Sequence, residues 1–165
     1  MHPRAEELIR DLHLRPHPEG GHFAEVFRSP RRVRAADPGG TARPGRSAIT
    51  TIYFLLAAGD VSRWHRLDAD EIWHFYEGAP LDLLLLDAAA RILTRARLGA
   101  AASGTAPVHV VPASSWVAAR PVGAYALVGC TMGPGFEPEG FALLKDAPDI
   151  AAQFLRRFPE AADQL

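Results

Sequence analysis

One spacing constrains this chain more than any other feature. In the stretch GDVSRWHRLDADEIWHFYEG, Gly59 stands six positions before His65, Glu71 six positions after it, and Gly78 seven positions further on. Gly59 and Asp60 turn the chain into Ser62–Leu67, Asp68–Asp70 turns it again, and Glu71–Tyr76 runs back, which predicts an antiparallel hairpin between glycine turns. Side chains alternate along a strand, so His65 and Leu67 share one face while Glu71, Trp73 and Phe75 share one face of the returning strand. A two-sheet barrel can point both sets into its cavity.

The rest of the chain has the same rhythm. Fourteen glycines and fourteen prolines break 165 residues into short apolar runs, the pattern of antiparallel β structure. After His22–Arg28 come Thr50–Leu56, the hairpin, Leu81–Leu86, Arg91–Leu98, Val108–Val111, Trp116–Arg120, Ala124–Met132 and Phe141–Leu144. These make about ten strands, enough for an all-β, two-sheet jelly roll. In His22–Arg28, alternation puts Phe23, Glu25 and Phe27 on one face and Arg28 on the other.

Short helices close both ends. Ala5, Leu8, Ile9 and Leu12 recur at helical spacing until Pro16 and Pro18; Ile150, Phe154 and Leu155 form a second stripe, begun at Asp146 or Pro148 and interrupted by Pro159. A chain of this size fits a single domain over residues 1–165, with its core at about 12–145. Residues 30–47 hold three prolines, three glycines and five arginines. They are expected to form a long surface loop, read either as a solvated segment or as a basic lid over an anionic ligand.

A net charge of −1 gives no sign of nucleic acid or an anionic membrane as partner. No run approaches the roughly 18 apolar residues of a membrane span, and MHPRAEELIR lacks the apolar core of a signal peptide. The expectation is a soluble, cytoplasmic protein. The lone cysteine, Cys130, allows no internal disulfide and reads as a buried small hydrophobe. No Walker loop, no GxGxxG after a strand, no GxSxG and no HExxH occurs, which sets aside P-loop hydrolysis and the common hydrolases.

The Gly59–His65–Glu71–Gly78 spacing resembles the first signature of the cupin superfamily, in which HxH and a glutamate supply metal ligands. Leu67 stands at the second histidine. The second signature, PxG followed by a histidine, is matched by VPASSWVAA, where Pro112 fits, Ser114 replaces the glycine and Val117 replaces the histidine. His65 and Glu71 remain of four ligands. His74 and His109 would each need a bulge to be turned toward them.

Five further stretches complete the pattern: His17-Pro18-Glu19-Gly20-Gly21-His22-Phe23, Thr50–Leu56, Asp70–Phe75, Val111–Trp116 and Pro134-Gly135-Phe136. With them, the chain from Leu12 to Leu144 resembles cupin family 5, domain of unknown function 985. The resemblance implies a homodimeric jelly roll related in shape to deoxysugar epimerases and isomerases, with a small-molecule pocket inside the barrel.

The residues then suggest a metal-independent acid–base site acting on a sugar-like or carbonyl compound. His65 is the candidate base and Glu71 its partner or acid, with Tyr53 as a further candidate acid. Trp73, Phe75 and Trp116 are candidate cavity aromatics, and Glu19 and Arg28 candidate ligand-binding groups at the rim. Two alternatives stand beside this reading. One is a metal-dependent oxygenase or isomerase with a divalent metal on His65 and Glu71; the other is a binding protein without turnover.

Overall fold

The computed structural model of the protein describes residues 1–34, 45–88 and 91–164, the last three by backbone alone. Helix α1 (Pro3–Asp11) leads into a six-stranded antiparallel sheet. Its order is β1 (Arg15–Pro16), β2 (His22–Arg28), β5 (Thr50–Ala57), β12 (Tyr125–Gly133), β7 (Asp70–Gly78) and β10 (Val108–Val111). A five-stranded sheet faces it, in the order β13 (Phe141–Leu143), β6 (Ser62–Leu67), β11 (Trp116–Pro121), β8 (Leu81–Leu86) and β9 (Leu93–Leu98). Helix α2 (Pro148–Arg157) follows.

The two sheets enclose one core, where Phe54, Leu56, Trp73, Leu83, Val117 and Val128 meet. A second cluster lies outside the five-stranded sheet, where Trp64, Leu84, Leu86 and Trp116 pack against Phe154 of α2. A third lies outside the six-stranded sheet, where Leu55 and Leu127 receive Ala5 and Leu8 of α1. The run Leu83–Leu86 is apolar throughout because it is buried on both faces: Leu83 and Leu85 fill the interior, Leu84 and Leu86 the α2 side.

Three expectations need correction. The predicted hairpin does not form: β6 and β7 are joined through Asp68 and Ala69 but cross from one sheet to the other, β6 pairing with β13 and β11 and β7 with β12 and β10. The segment 30–47 is not unstructured at its ends: β3 (Arg32–Val33) pairs with β4 (Arg46–Ser47), and residues 35–44, where the lid reading falls, lie outside the described residues. Strand β2 does not alternate to its end, because its register on β5 shifts between Glu25 and Phe27. One extra residue leaves Val26 and Phe27 both half exposed, at 50% and 48%, and turns Arg28 to the interior with Glu25.

Candidate active site in the barrel

A cavity of about 340 Å³ opens at one end of the barrel. Its apolar wall comes from Phe23, Ile52, Leu67, Met132, Phe136 and Phe141. Its polar residues are Arg15, His17, Glu19, Glu25, Arg28, Thr50, His65 and Glu71, drawn from both sheets and from the turn before β2. Cys130 is buried on the cavity wall, and burial pushes its thiol well above the ordinary value, so it serves as packing and not as a nucleophile.

His65 is the centre of the site. The alternation of β6 aims it inward between Trp64 and Arg66, only 2% of it is exposed, and the Phe141 ring stacks on it at 5.7 Å. Its Nδ1 lies 2.8 Å from the Arg63 carbonyl oxygen and 3.0 Å from Oε2 of Glu19. A carbonyl only accepts, so Nδ1 carries the hydrogen, and the lone pair of the neutral ring sits on Nε2. Burial lowers the pKa of His65 and keeps that lone pair available.

Two carboxyls flank the ring. Glu19 is held by the turn His17–Gly21, where Gly20 and Gly21 adopt φ of 117° and 66° and the Gly20 N–H bonds the His17 carbonyl. A Cβ on Gly20 would meet the Val61 carbonyl oxygen, so the turn needs glycine both for its backbone angle and for its contact with the residue that leads into β6. Glu19 accepts from Ser62 Oγ at 3.1 Å, and burial raises its pKa to about 8. Glu71, on β7, accepts from Trp73 Nε1 at 2.6 Å. Burial raises its pKa to about 7, against the opposing pull of His65.

The remaining polar groups sit nearer the opening. Arg28 gives Nε and Nη2 to the two oxygens of Glu25, at 3.1 and 2.8 Å, and Nη1 to the Phe136 carbonyl at 3.0 Å. His17 packs edge-on to Phe23 at 4.5 Å, and burial lowers its pKa to about 4.

The structure thus brings together His65, Glu71, Glu19 and Arg28, and separates the other four candidates from the cavity. Tyr53 lies on the outer face of the six-stranded sheet, beside α1 and edge-on to Tyr76, because its neighbour Phe54 takes the inward position. Trp116 is outside the other sheet under α2, because Val117 faces inward. Trp73 and Phe75 do point into the barrel, but pack in its core below the cavity; Trp73 reaches the site only through its N–H to Glu71. Arg15 and His17 line the cavity without having been singled out as site residues, although the His-Pro-Glu-Gly-Gly turn already marked the segment they flank.

A family model described as cupin superfamily (DUF985) matches residues 6–144. The chain belongs to this cupin family. A solved protein from Shewanella oneidensis resembles it with 32% identity and a TM-score of 0.79, over 98% of this chain and 96% of that one. A hypothetical protein from Leishmania major resembles it with 31% identity and a TM-score of 0.78, over 96% and 94%. Oxalate decarboxylase from Bacillus subtilis shares the fold at 14% identity and a TM-score of 0.57; this chain spans about 33% of its length. A comparison with curated proteins gives no match.

The metal site that the cupin motifs imply can be tested on this cupin's own residues. Leu67 and Val117 occupy two of the four ligand positions, and Val117 lies directly opposite His65 on β11, 1% exposed and packed into the core. Glu71 already accepts the Trp73 N–H, and burial holds both carboxyls toward their uncharged forms. Among the described residues no three His, Cys, Asp or Glu side chains converge on a point that could hold a metal. This donor set does not fit a divalent transition metal, which takes three or four protein ligands.

Proposed function

We propose that this cupin binds a small carbonyl or sugar-like molecule in the barrel and moves a proton on it without a metal. The observation that carries this reading is the free Nε2 of a buried His65 whose Nδ1 is fixed by Glu19 and the Arg63 carbonyl, with Glu71 lining the same cavity. Nε2 takes the proton from a carbon next to a carbonyl. The C–H electron pair becomes the C=C bond of an enol, and the carbonyl oxygen takes the proton of Glu71. Return of the Nε2 proton to the neighbouring carbon, as a hydroxyl on the first carbon gives its proton back to Glu71, yields an isomer. Delivery of a solvent proton to the other face of the first carbon, with the enol proton returning to Glu71 and the Nε2 proton passing to solvent, yields an epimer.

Each residue has a stated role. Glu71 with a pKa near 7 holds a proton that it can give at neutral pH. Glu19 touches no reacting atom; it is a positioning residue whose Oε2 accepts the Nδ1–H and fixes the ring, and its uncharged carboxyl keeps that hydrogen bond to the imidazolium formed in the step. The experiment is deuterium uptake from D2O, followed by NMR, into a panel of sugar-like and 2-oxo carbonyl compounds that includes phenylpyruvate. The reading expects uptake above the buffer rate with the wild type and none with His65→Ala. Equal uptake with both proteins contradicts it, and a molecule held unchanged by both would instead favour binding without turnover.

The protein is further proposed to act as a cytoplasmic homodimer. The outer face of the six-stranded sheet that α1 leaves uncovered supports the second part: Val26, Phe27, Tyr76, Val108 and Val110 are each about half exposed there. Phe27, Thr51, Thr131, Ile72 and Val110 follow one another across five strands of that face. No helix among the described residues is long and apolar enough to cross a membrane.

A further inference from the structure

We propose that the molecule bound in the barrel is an organic anion with an apolar body, its negative group held by Arg15 at the opening. This deepens the reading above and rests on it. Two cationic side chains line the cavity, Arg15 and Arg28. Arg28 is committed: Glu25 takes two of its N–H groups and the Phe136 carbonyl a third, with Glu137 3.9 Å away. Arg15 has no carboxylate partner among the described residues. Its guanidinium lies over the Phe23 ring, 4.8 Å from the centroid, and Phe23 is itself part of the cavity wall.

The position suits recognition. Arg15 belongs to β1, the edge strand of the six-stranded sheet, and is exposed while lining the cavity, so it stands where the cavity meets solvent. Stacking on Phe23 orders the guanidinium while leaving its in-plane N–H groups free, and those groups form the fork that meets a carboxylate or phosphate.

The charge of the remaining lining points the same way. Glu25 is cancelled by Arg28, and of the buried carboxyls Glu19, with a pKa of about 8, is largely uncharged at neutrality and Glu71, at about 7, is largely uncharged below it. His17 and His65 are held neutral by burial. One positive charge is left over, and it is Arg15. Beyond it the wall is Phe23, Ile52, Leu67, Met132, Phe136 and Phe141, which rewards carbon and not hydroxyl groups and so narrows the reading above to its carbonyl compounds. At the ~30 Å³ that a water-sized group occupies in a liquid, the cavity holds about a dozen non-hydrogen atoms. A monoanion of that size puts its charge on Arg15 and its far end toward His65 and Glu71.

The test uses three probes of nearly equal shape: hydrocinnamate, its uncharged amide, and the cationic phenylpropylammonium. Affinity is read by titration calorimetry near neutral pH, and location by NMR shifts of the Phe23 and Phe141 rings, for wild type, Arg15→Gln and His65→Ala. The wild type should bind hydrocinnamate about tenfold more tightly than the amide. Arg15→Gln should erase that preference and leave amide affinity unchanged, while His65→Ala keeps it. Amide or ammonium bound as tightly as the carboxylate, with the same ring shifts, overturns the anion assignment and leaves barrel binding standing. A preference that survives Arg15→Gln also overturns it. No probe bound by the wild type overturns both this assignment and the reading on which it rests.

Discussion

Glu71 lies beside an indole N–H and an imidazole in a site that water barely reaches, and its proton is therefore set by its surroundings. The same burial acts on Glu19 in the same sense and on His17 and His65 in the opposite one. In the folded protein the two carboxyls keep protons, up to about pH 8 and 7, that the unfolded chain loses near 4.5. The histidines resist protons that the unfolded chain binds below about 6.5, His17 down to about 4. Between 4.5 and 6.5 the two sets oppose each other; above 6.5 only the carboxyls differ. Stability should therefore fall from about pH 6.5 to 8, with a slope of about 1.4 kcal/mol per pH unit for each proton involved. Urea denaturation across that range checks this, and Glu19→Gln should flatten the decline. A second residue-scale prediction concerns Ser114, which stands where the superfamily's second signature has glycine and adopts a φ of 67° while its N–H bonds the Leu67 carbonyl at 2.7 Å. A side chain at this backbone angle is strained, and Ser114→Gly should raise stability by about 1 kcal/mol in chemical denaturation.

At the scale of elements, the Gly59–His65–Glu71–Gly78 spacing put both strands where they run but not how they pair: β6 lies between β13 and β11 in one sheet and β7 between β12 and β10 in the other, so His65 and Glu71 line one cavity from opposite walls and not as a hairpin. The same alternation, carried one residue further, would have placed two other candidates. If Val117 takes the place of an inward ligand, Trp116 must face out; if Phe54 faces in, Tyr53 must face out. Both errors came from reading residue type ahead of strand parity. The inward turn of Arg28 was a different matter, because it depends on the extra residue in β2, and a bulge leaves no mark in alternation until the partner strand is known. Arg15 was hidden for a similar reason, since a two-residue strand has no periodicity to read. The glycines divide by what lies around them. Gly59 has a φ of 89° and open space where a Cβ would go, whereas Gly20 is pressed against the Val61 carbonyl. Gly59→Ala should cost about 1 kcal/mol, and Gly20→Ala about 3 kcal/mol or more, with loss of the ordered Glu19. Midpoints of urea unfolding separate the two.

At the scale of the molecule, each sheet buries one face in the barrel and needs a cover for the other. Helix α2 supplies it for the five-stranded sheet, while α1 covers one end of the six-stranded sheet, around Leu55 and Leu127. The half-exposed Val108 and Val110 lie on the uncovered part, and a second copy of the chain would remove them from water. If so, Val110→Lys should convert the dimer mass in native mass spectrometry to the monomer mass while leaving circular dichroism and the denaturation midpoint of the monomer nearly unchanged. A monomeric wild type contradicts the homodimer outright. The fold was legible because glycines, prolines and alternation repeat along the whole chain; the reaction was not, because two substitutions, Leu67 and Val117, altered the site without disturbing the barrel. The measurement that tests the account most directly is the rate of deuterium uptake into the carbonyl panel by protein stripped with a chelator, compared with untreated wild type and with stripped His65→Ala. A metal-independent site predicts equal rates before and after stripping and a loss of at least a hundredfold in His65→Ala. Activity that disappears on stripping and returns with iron, manganese or nickel contradicts it.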